Sequence, residues 1–191
     1  MGRMRVEIAV DPLVVVFAVL YALAGSLWQW AVVFASLLMH EVAHAPVAVG
    51  FGLAVSEVRI TPIGAAVRVD DAIGLRAEAE AAVAMAGPMT SLVLAGAGYI
   101  LLAYGKPDTA AAEFFIGANI VLAMLNLLPA FPLDGGRVLR ALLVERMGMS
   151  GATRAAVNVS RWIGGLAVVA GAVGAATGAL SPLVAAMGVL I

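Results

Sequence analysis

The sequence predicts an all-α polytopic membrane protein, with about six transmembrane or half-membrane helices and a small membrane-associated β-hairpin or sheet. Its 191 residues are 63% hydrophobic and only 12% charged, with a mean hydropathy of +1.06. Soluble domains are about half apolar and about a quarter charged. Several apolar runs approach the length of about 20 residues that a helix needs to cross a bilayer. One segment between these runs alternates in polarity, as strands do.

Five apolar spans follow one another along the chain, at residues 12–27, 28–50, 78–104, 110–128 and 161–180. The first span is short. Residues 55–71, VSEVRITPIGAAVRVDD, are rich in valine and isoleucine and predict a hairpin that turns at Pro62-Ile63-Gly64. Residues 126–148 open with a segment broken by prolines and continue as a short helix. The sequence contains no long linker or internal repeat, so we expect a single domain over residues 1–191.

Charge and cysteine content narrow the functional classes. The net charge of -1 argues against a strongly basic nucleic-acid binder, so we expect the lipid bilayer, and no nucleic acid, as a partner. The chain has no cysteine, which excludes disulfides and thiolate metal ligands. If the N-terminus is cytoplasmic, all ten arginines fall on the cytoplasmic side and only Lys106 lies outside. This bias predicts a multi-pass cell-membrane protein in that orientation.

The second span carries both histidines of the chain, in the motif His40-Glu41-Val42-Ala43-His44. On a helix the two imidazoles lie one turn apart on one face and can reach one zinc ion. Glu41 is placed to take a proton from the zinc-bound water and to give it to a leaving amine. Polar packing between helices is the alternative explanation. Ionisable residues inside a membrane are functional by default, which favours a metal site.

Asp134 is the best candidate for a third ligand, because a catalytic zinc site usually has three protein ligands and a water. It lies in Pro132-Leu133-Asp134-Gly135-Gly136, where the backbone is broken after an apolar span. The alternative is a simple helix cap, since Asp before Gly-Gly also suits that role. In the proposed topology the second and fourth spans both run inward, so Asp134 returns to the cytoplasmic side, where the second span also ends.

These motifs resemble those of the site-2 protease family of intramembrane zinc metalloproteases. The resemblance rests on the HExxH motif in a span, on Asn126–Gly136, which matches NxxPxxPxDGG, and on Ala86-Gly87-Pro88. It implies that one Zn²⁺ per chain binds His40, His44 and Asp134, with Glu41 as catalytic base. It also implies that Asn126 helps to hold the substrate and that the hairpin, at Ile63, Gly64 and Ala65, adds the substrate as a strand. The family often has Gly where this chain has Ala43, and Asn shortly after Gly-Pro, where it reads Met89-Thr90-Ser91.

The order of the motifs is most similar to the branch that processes sporulation sigma factors. The resemblance implies cleavage of a membrane-tethered protein, such as a sigma-factor precursor or an anti-sigma factor, near the cytoplasmic side. Regulatory membrane proteins are further expected partners, and no CBS domain is expected in this chain. Two other functions stay open from the residues alone. One is a divalent-metal transporter that uses the same ligands, and the other is a catalytically inactive membrane-binding relative, which would be expected to lack Glu41 or Asp134.

Overall fold

The computed structural model describes residues 7–61, 64–69, 76–105 and 108–177. Their helices and strands, in chain order, are β1 Glu7–Val10, α1 Leu13–Leu23, α2 Leu27–Gly50, β2 Val55–Thr61, β3 Gly64–Val69, α3 Ala77–Tyr104, α4 Thr109–Asn126 and α5 Asp134–Thr177. The chain divides into two compact units, Met1–Leu125 and Asn126–Ile191.

The predicted helical membrane fold is confirmed in outline. Helices α2, α3, α4 and most of α5 are long and apolar enough to cross a membrane, judged by length and composition, whereas α1 has only 11 residues. Large apolar side chains are exposed along these helices, among them Val93, Leu142 and Trp162. Such surfaces suit lipid, since monomeric soluble proteins rarely expose extended apolar patches.

The helix count differs from the expected number of about six, because the described residues form five helices. The difference arises in α5, whose 44 residues run across a kink at Gly148. Gly148 has φ of 68°, a left-handed conformation that interrupts helical geometry. The predicted fifth span is therefore the second part of this long element, and the short arginine-bearing helix is its first part.

Helix α2 packs closely against α3 in the first unit. The buried residues of α2 recur every four positions, at Ser36, His40, His44 and Ala48, and so form one stripe. The buried face of α3 is rich in small residues, including Ala84, Gly87, Ser91, Ala95 and Gly98. Small side chains let two helix backbones approach closely, which is how helices associate in membranes.

A three-stranded sheet, in the order β1-β2-β3, belongs to the same unit. Strands β2 and β3 form the antiparallel hairpin, with Thr61 opposite Gly64 and Ile60 opposite Ala65. Strand β1 pairs in parallel with β2, with Ile8 opposite Val58. The sequence did not indicate β1, because four residues with a glutamate show too short an alternation and their pairing partner lies about 50 positions away.

In the second unit, a segment of tight turns leads from Asn126 to α5. Backbone hydrogen bonds close these turns, from Ala130 N–H to Leu128 O at 2.7 Å and from Leu133 N–H to Ala130 O at 2.9 Å. Phe131 N–H donates to Ser160 Oγ at 2.7 Å, and Ser160 is itself buried. The non-helical backbone is therefore satisfied from within the protein, as membrane depth requires.

Candidate metal centre

The two histidines of α2 lie side by side on its buried stripe. His40 is 1% exposed and His44 is 6% exposed, so both imidazoles have lost their contact with solvent. Their ring centroids are 5.4 Å apart and the rings meet edge to face at 77°. This is the arrangement expected of imidazoles one helical turn apart. Burying two imidazoles is costly unless each polar nitrogen has a partner.

The Nδ1 atom of each ring has such a partner on α3. His44 Nδ1–H donates to the carbonyl oxygen of Val83 at 2.6 Å. His40 Nδ1 and Ser91 Oγ form a hydrogen bond of 2.9 Å, and Ser91 is fully buried. Because a carbonyl oxygen can only accept, His44 carries a proton on Nδ1. Partners of this kind fix the orientation and tautomer of metal-binding histidines.

Both Nε2 atoms converge on one position of α3, the glycine of Ala86-Gly87-Pro88. A Cβ atom added to Gly87 would lie 2.5 Å from His40 Nε2 and 2.6 Å from His44 Nε2. Because Gly87 has no side chain, both imidazoles can lie directly against α3.

In the second unit, Asp134 begins α5 and is 8% exposed. Gly135 and Gly136 follow Asp134, and both lie directly against backbone atoms of the preceding turns. A Cβ on Gly135 would collide with the carbonyl oxygens of Leu127 and Leu128, and one on Gly136 would lie 2.6 Å from Phe131 N. The Gly-Gly pair therefore lets the start of α5 pack on the preceding turns. Arg137 Nη1 lies 3.9 Å from Asp134 Oδ1, one helical turn further along.

His40, His44 and Asp134 each offer one ligand atom, and these atoms all lie within 4.8 Å of one another. All three residues are buried. Two imidazole nitrogens and a carboxylate oxygen form a donor set that suits a catalytic zinc ion with an open fourth position. The arrangement could hold a metal ion, and the role of each residue as a ligand stays a prediction.

The other predicted site residues are placed as follows. Glu41 is half-buried on α2, directly after His40, and Asn126 is the half-buried last residue of α4. Gly64 and Ala65 begin β3, an outer strand of the sheet, and Ile63 lies outside the described residues.

Sequence reasoning missed two groups of the site. One is the carbonyl oxygen of Val83, which holds His44 and carries no side-chain signal. The other is Ser91, which the sequence showed only as a departure from the Asn of the family pattern and which here contacts His40. For Ser91, the signal available in the sequence was its position three residues after Pro88.

Comparison with known proteins identifies the family. The model of peptidase family M50 matches residues 29–108 and 108–170, which is more than half of the chain. The chain belongs to peptidase family M50. This family assignment confirms the resemblance that the three motifs indicated. It also confirms the expectation that the chain belongs to a family of zinc metalloproteases.

Two relatives and one solved structure show the extent of the likeness. The zinc metalloprotease MJ0392 of Methanocaldococcus jannaschii is 32% identical over 145 residues, which are 69% of this chain and 40% of that protein. Stage IV sporulation protein FB of Bacillus subtilis is 30% identical over 154 residues, which are 81% of this chain and 54% of that protein. The chain thus spans about half or less of these relatives.

The solved structure of the site-2 protease from Methanocaldococcus jannaschii superposes with a TM-score of 0.73 over 100% of this chain and 89% of that one. The sequence identity is 22%, so this likeness establishes the fold.

Proposed function

We propose that this chain is an intramembrane zinc metalloendopeptidase that cleaves membrane-tethered proteins near the cytoplasmic side. The observation that carries the proposal is the convergence of ligand atoms from His40, His44 and Asp134 within 4.8 Å of one another. Membership in peptidase family M50 supports a peptidase over a metal transporter. Glu41 and Asp134 are both present, which argues against an inactive relative.

In this proposal His40, His44 and Asp134 bind one Zn²⁺. When bound, zinc would act as a Lewis acid and would lower the pKa of water to near neutrality. Ser91 and the Val83 carbonyl oxygen hold the two imidazoles through their Nδ1 atoms, so the rings are oriented before substrate arrives. Asp134 adds a negative charge that offsets the charge of the cation.

Glu41 is the general base and then the general acid. Its carboxylate takes the proton of the attacking water and delivers it to the nitrogen of the leaving amine as the peptide bond breaks. Its place on α2, next to His40, keeps it beside the ligands without requiring it to be one.

The substrate has to be extended at the scissile bond, because a helix hides its carbonyl groups. Strand β3 is an outer strand that can accept an added strand, and Gly64 and Ala65, with Ile63 before them, are the positions we assign to that contact. Asn126 is assigned to hold the substrate close to the cleavage site. We assign the N-terminus to the cytoplasm on the basis of the arginine bias. A membrane-tethered sigma-factor precursor or anti-sigma factor is the substrate class we propose.

The test is Glu41→Gln in the purified full chain, with Glu113→Gln as the matched control. Glu113 is an exposed carboxylate on α4, outside the proposed site. Glu41→Gln should keep one zinc per chain by elemental analysis, while cleavage of a membrane-tethered reporter falls by at least about a hundredfold, the scale of general acid–base catalysis. Glu113→Gln should cleave like the wild type. Undiminished cleavage by Glu41→Gln would refute the assigned chemistry, and zinc flux into liposomes would favour a transporter.

A further inference from the structure

A serine in the second part of α5 is bonded to the turn that carries the proposed ligand Asp134. Ser160 Oγ accepts a hydrogen bond from Phe131 N–H at 2.7 Å and donates one to the carbonyl oxygen of Ala156 at 2.8 Å. The bond to Phe131 joins positions 29 apart in the chain. The hydroxyl thus uses its single donor within the helix and uses an acceptor site to hold the backbone just before Asp134.

The contact exists because α5 folds back on itself. A straight helix, with its rise of about 1.5 Å per residue, would place Ser160 about 39 Å from Asp134. Gly148, with φ of 68°, interrupts the helix between them. The second part of α5 therefore returns to the turns at which the first part begins, and Ser160 meets Phe131 N–H there.

Ser160 is the polar member of a stripe of small residues. Ala152, Ala156 and Ser160 recur every four positions, so they lie on one face of the helix, and they are 0%, 0% and 2% exposed. Alanine would suit the third position as well if packing were its only task, because burying a hydroxyl group costs free energy unless the group is hydrogen-bonded. The bond that distinguishes Ser160 from the two alanines is the one to Phe131 N–H.

Phe131 is linked to Asp134 through a turn with little slack. Leu133 N–H donates to the carbonyl oxygen of Ala130 at 2.9 Å, and Gly136 N–H donates to the carbonyl oxygen of Leu133 at 3.1 Å. A Cβ on Gly136 would lie 2.6 Å from Phe131 N, so the backbone after Asp134 packs directly against the amide that Ser160 holds. A shift at Phe131 is therefore transmitted to the backbone of Asp134.

We propose that Ser160 is a positioning residue of the metal centre: its bond to Phe131 N–H holds the turn that presents the Asp134 carboxylate to the ion. The inference rests on the proposed function, since it takes Asp134 as a ligand, and it adds a residue that is not itself a ligand. Ligand distances to zinc are held within about 0.2 Å, so a small relaxation of the turn is enough to weaken binding.

Zinc affinity in a double-mutant cycle tests the inference without requiring turnover. Ser160→Ala keeps a good helix former and removes the acceptor, so Phe131 N–H has to find another acceptor and the turn relaxes. We expect the purified full-chain variant to bind zinc about five- to tenfold more weakly in competition with a zinc-binding dye, the size of one lost hydrogen bond. In the Asp134→Ala background the same substitution should change zinc affinity by less than about twofold, because no carboxylate is left to position.

Thr153→Ala is the matched control. Thr153 Oγ1 donates to the carbonyl oxygen of Met149 at 2.8 Å, as Ser160 Oγ does to that of Ala156, so this variant removes a hydroxyl group whose bond stays within α5. It should bind zinc like the wild type. Ser160→Thr retains the acceptor and should recover most of the affinity that Ser160→Ala loses. With Co²⁺ in place of zinc, the visible absorption of Ser160→Ala should shift toward that of Asp134→Ala, because the absorption reports the geometry of the ligands.

The outcomes separate this inference from the proposed function. An equal loss of affinity in the wild-type and Asp134→Ala backgrounds, as expected if Ser160 only stabilises the fold, overturns the positioning role and leaves the metal centre standing. Unchanged affinity in Ser160→Ala overturns it as well. If Asp134→Ala binds zinc as tightly as the wild type, the assigned ligand set fails and the inference fails with it.

A second variant covers the case in which Ser160→Ala does not fold. Ser160→Cys places a group of similar size at the same position, and its sulfur is only a weak acceptor, so it must show the same dependence on Asp134. A wild type that binds zinc with this dependence on Ser160 but cleaves no reporter would contradict the proposed peptidase and support the positioning role.

Discussion

Gly87→Ala is the substitution whose effect on the metal centre follows most directly from the geometry. The added Cβ would lie 2.5 Å from His40 Nε2 and 2.6 Å from His44 Nε2, and ordinary contact begins at 3.4 Å. The two rings would therefore have to withdraw by about 0.9 Å and 0.8 Å. Zinc binds imidazole nitrogen at about 2.0–2.1 Å, with a tolerance of about 0.2 Å. The displacement is about four times that tolerance.

The rings have little freedom to absorb this movement. His40 is tied to Ser91 and His44 to the Val83 carbonyl, both on the helix that carries the new methyl group. Either the hydrogen bonds break or α3 moves away from α2. We expect zinc affinity to fall by at least about a hundredfold, beyond the 10–100-fold typical of changes that act through a neighbouring residue.

The measurement is competition of the purified protein with a zinc-binding dye, together with elemental analysis. Gly96→Ala is the control, because Gly96 lies on the same helix and a Cβ there would have no heavy atom within 4 Å. It should keep wild-type affinity and helicity. If Gly87→Ala retains one zinc per chain with unchanged affinity, the metal is not bound by the Nε2 atoms, and the proposed centre is wrong.

Two further substitutions test the elements that position the ligands. Ser91→Ala removes the partner of His40 Nδ1 and should weaken zinc binding by about 10–100-fold without unfolding the protein. Ser91→Asn restores a hydrogen-bonding side chain and should recover much of that loss. Equal zinc affinity in the wild type and both variants would show that the contact does not orient the ring. Gly135→Ala drives a methyl group into the carbonyl oxygens of Leu127 and Leu128, so it should displace Asp134 and lower thermal stability as well as zinc content. A Gly135→Ala protein with the wild-type melting temperature and one bound zinc would contradict the close packing at the start of α5.

The helical membrane fold could be predicted because its signal is local. A membrane span can be identified from apolar composition over about 20 residues. Helices α2, α3 and α4 begin and end within two residues of the predicted spans. The hairpin was equally visible, because β2 and β3 alternate and adjoin in sequence. Strand β1 was not visible, since it is a strand only by virtue of pairing with β2.

The candidate metal centre likewise has a part that the sequence predicts and a part that it does not. The HExxH spacing alone places His40 and His44 on one face of a helix, and the chemistry of the broken segment singled out Asp134 among the carboxylates. The partners that orient the imidazoles come from another helix. Val83 contributes a backbone carbonyl, which any residue type would offer, and Ser91 differs from the residue that the family pattern led us to expect.

The residue types available for metal chemistry, and the helix faces on which they lie, follow from the amino-acid sequence alone, because the spacing of residues on a helix sets the direction of their side chains. Which atoms come into contact depends on how the helices pack. Ser91 contacts His40, Gly87 lets both imidazoles lie directly against α3, and Asn119 donates a hydrogen bond to Ser36. The contacts at His40 and Gly87 depend on how closely α3 approaches α2, and the small residues on the buried face of α3 allow that approach.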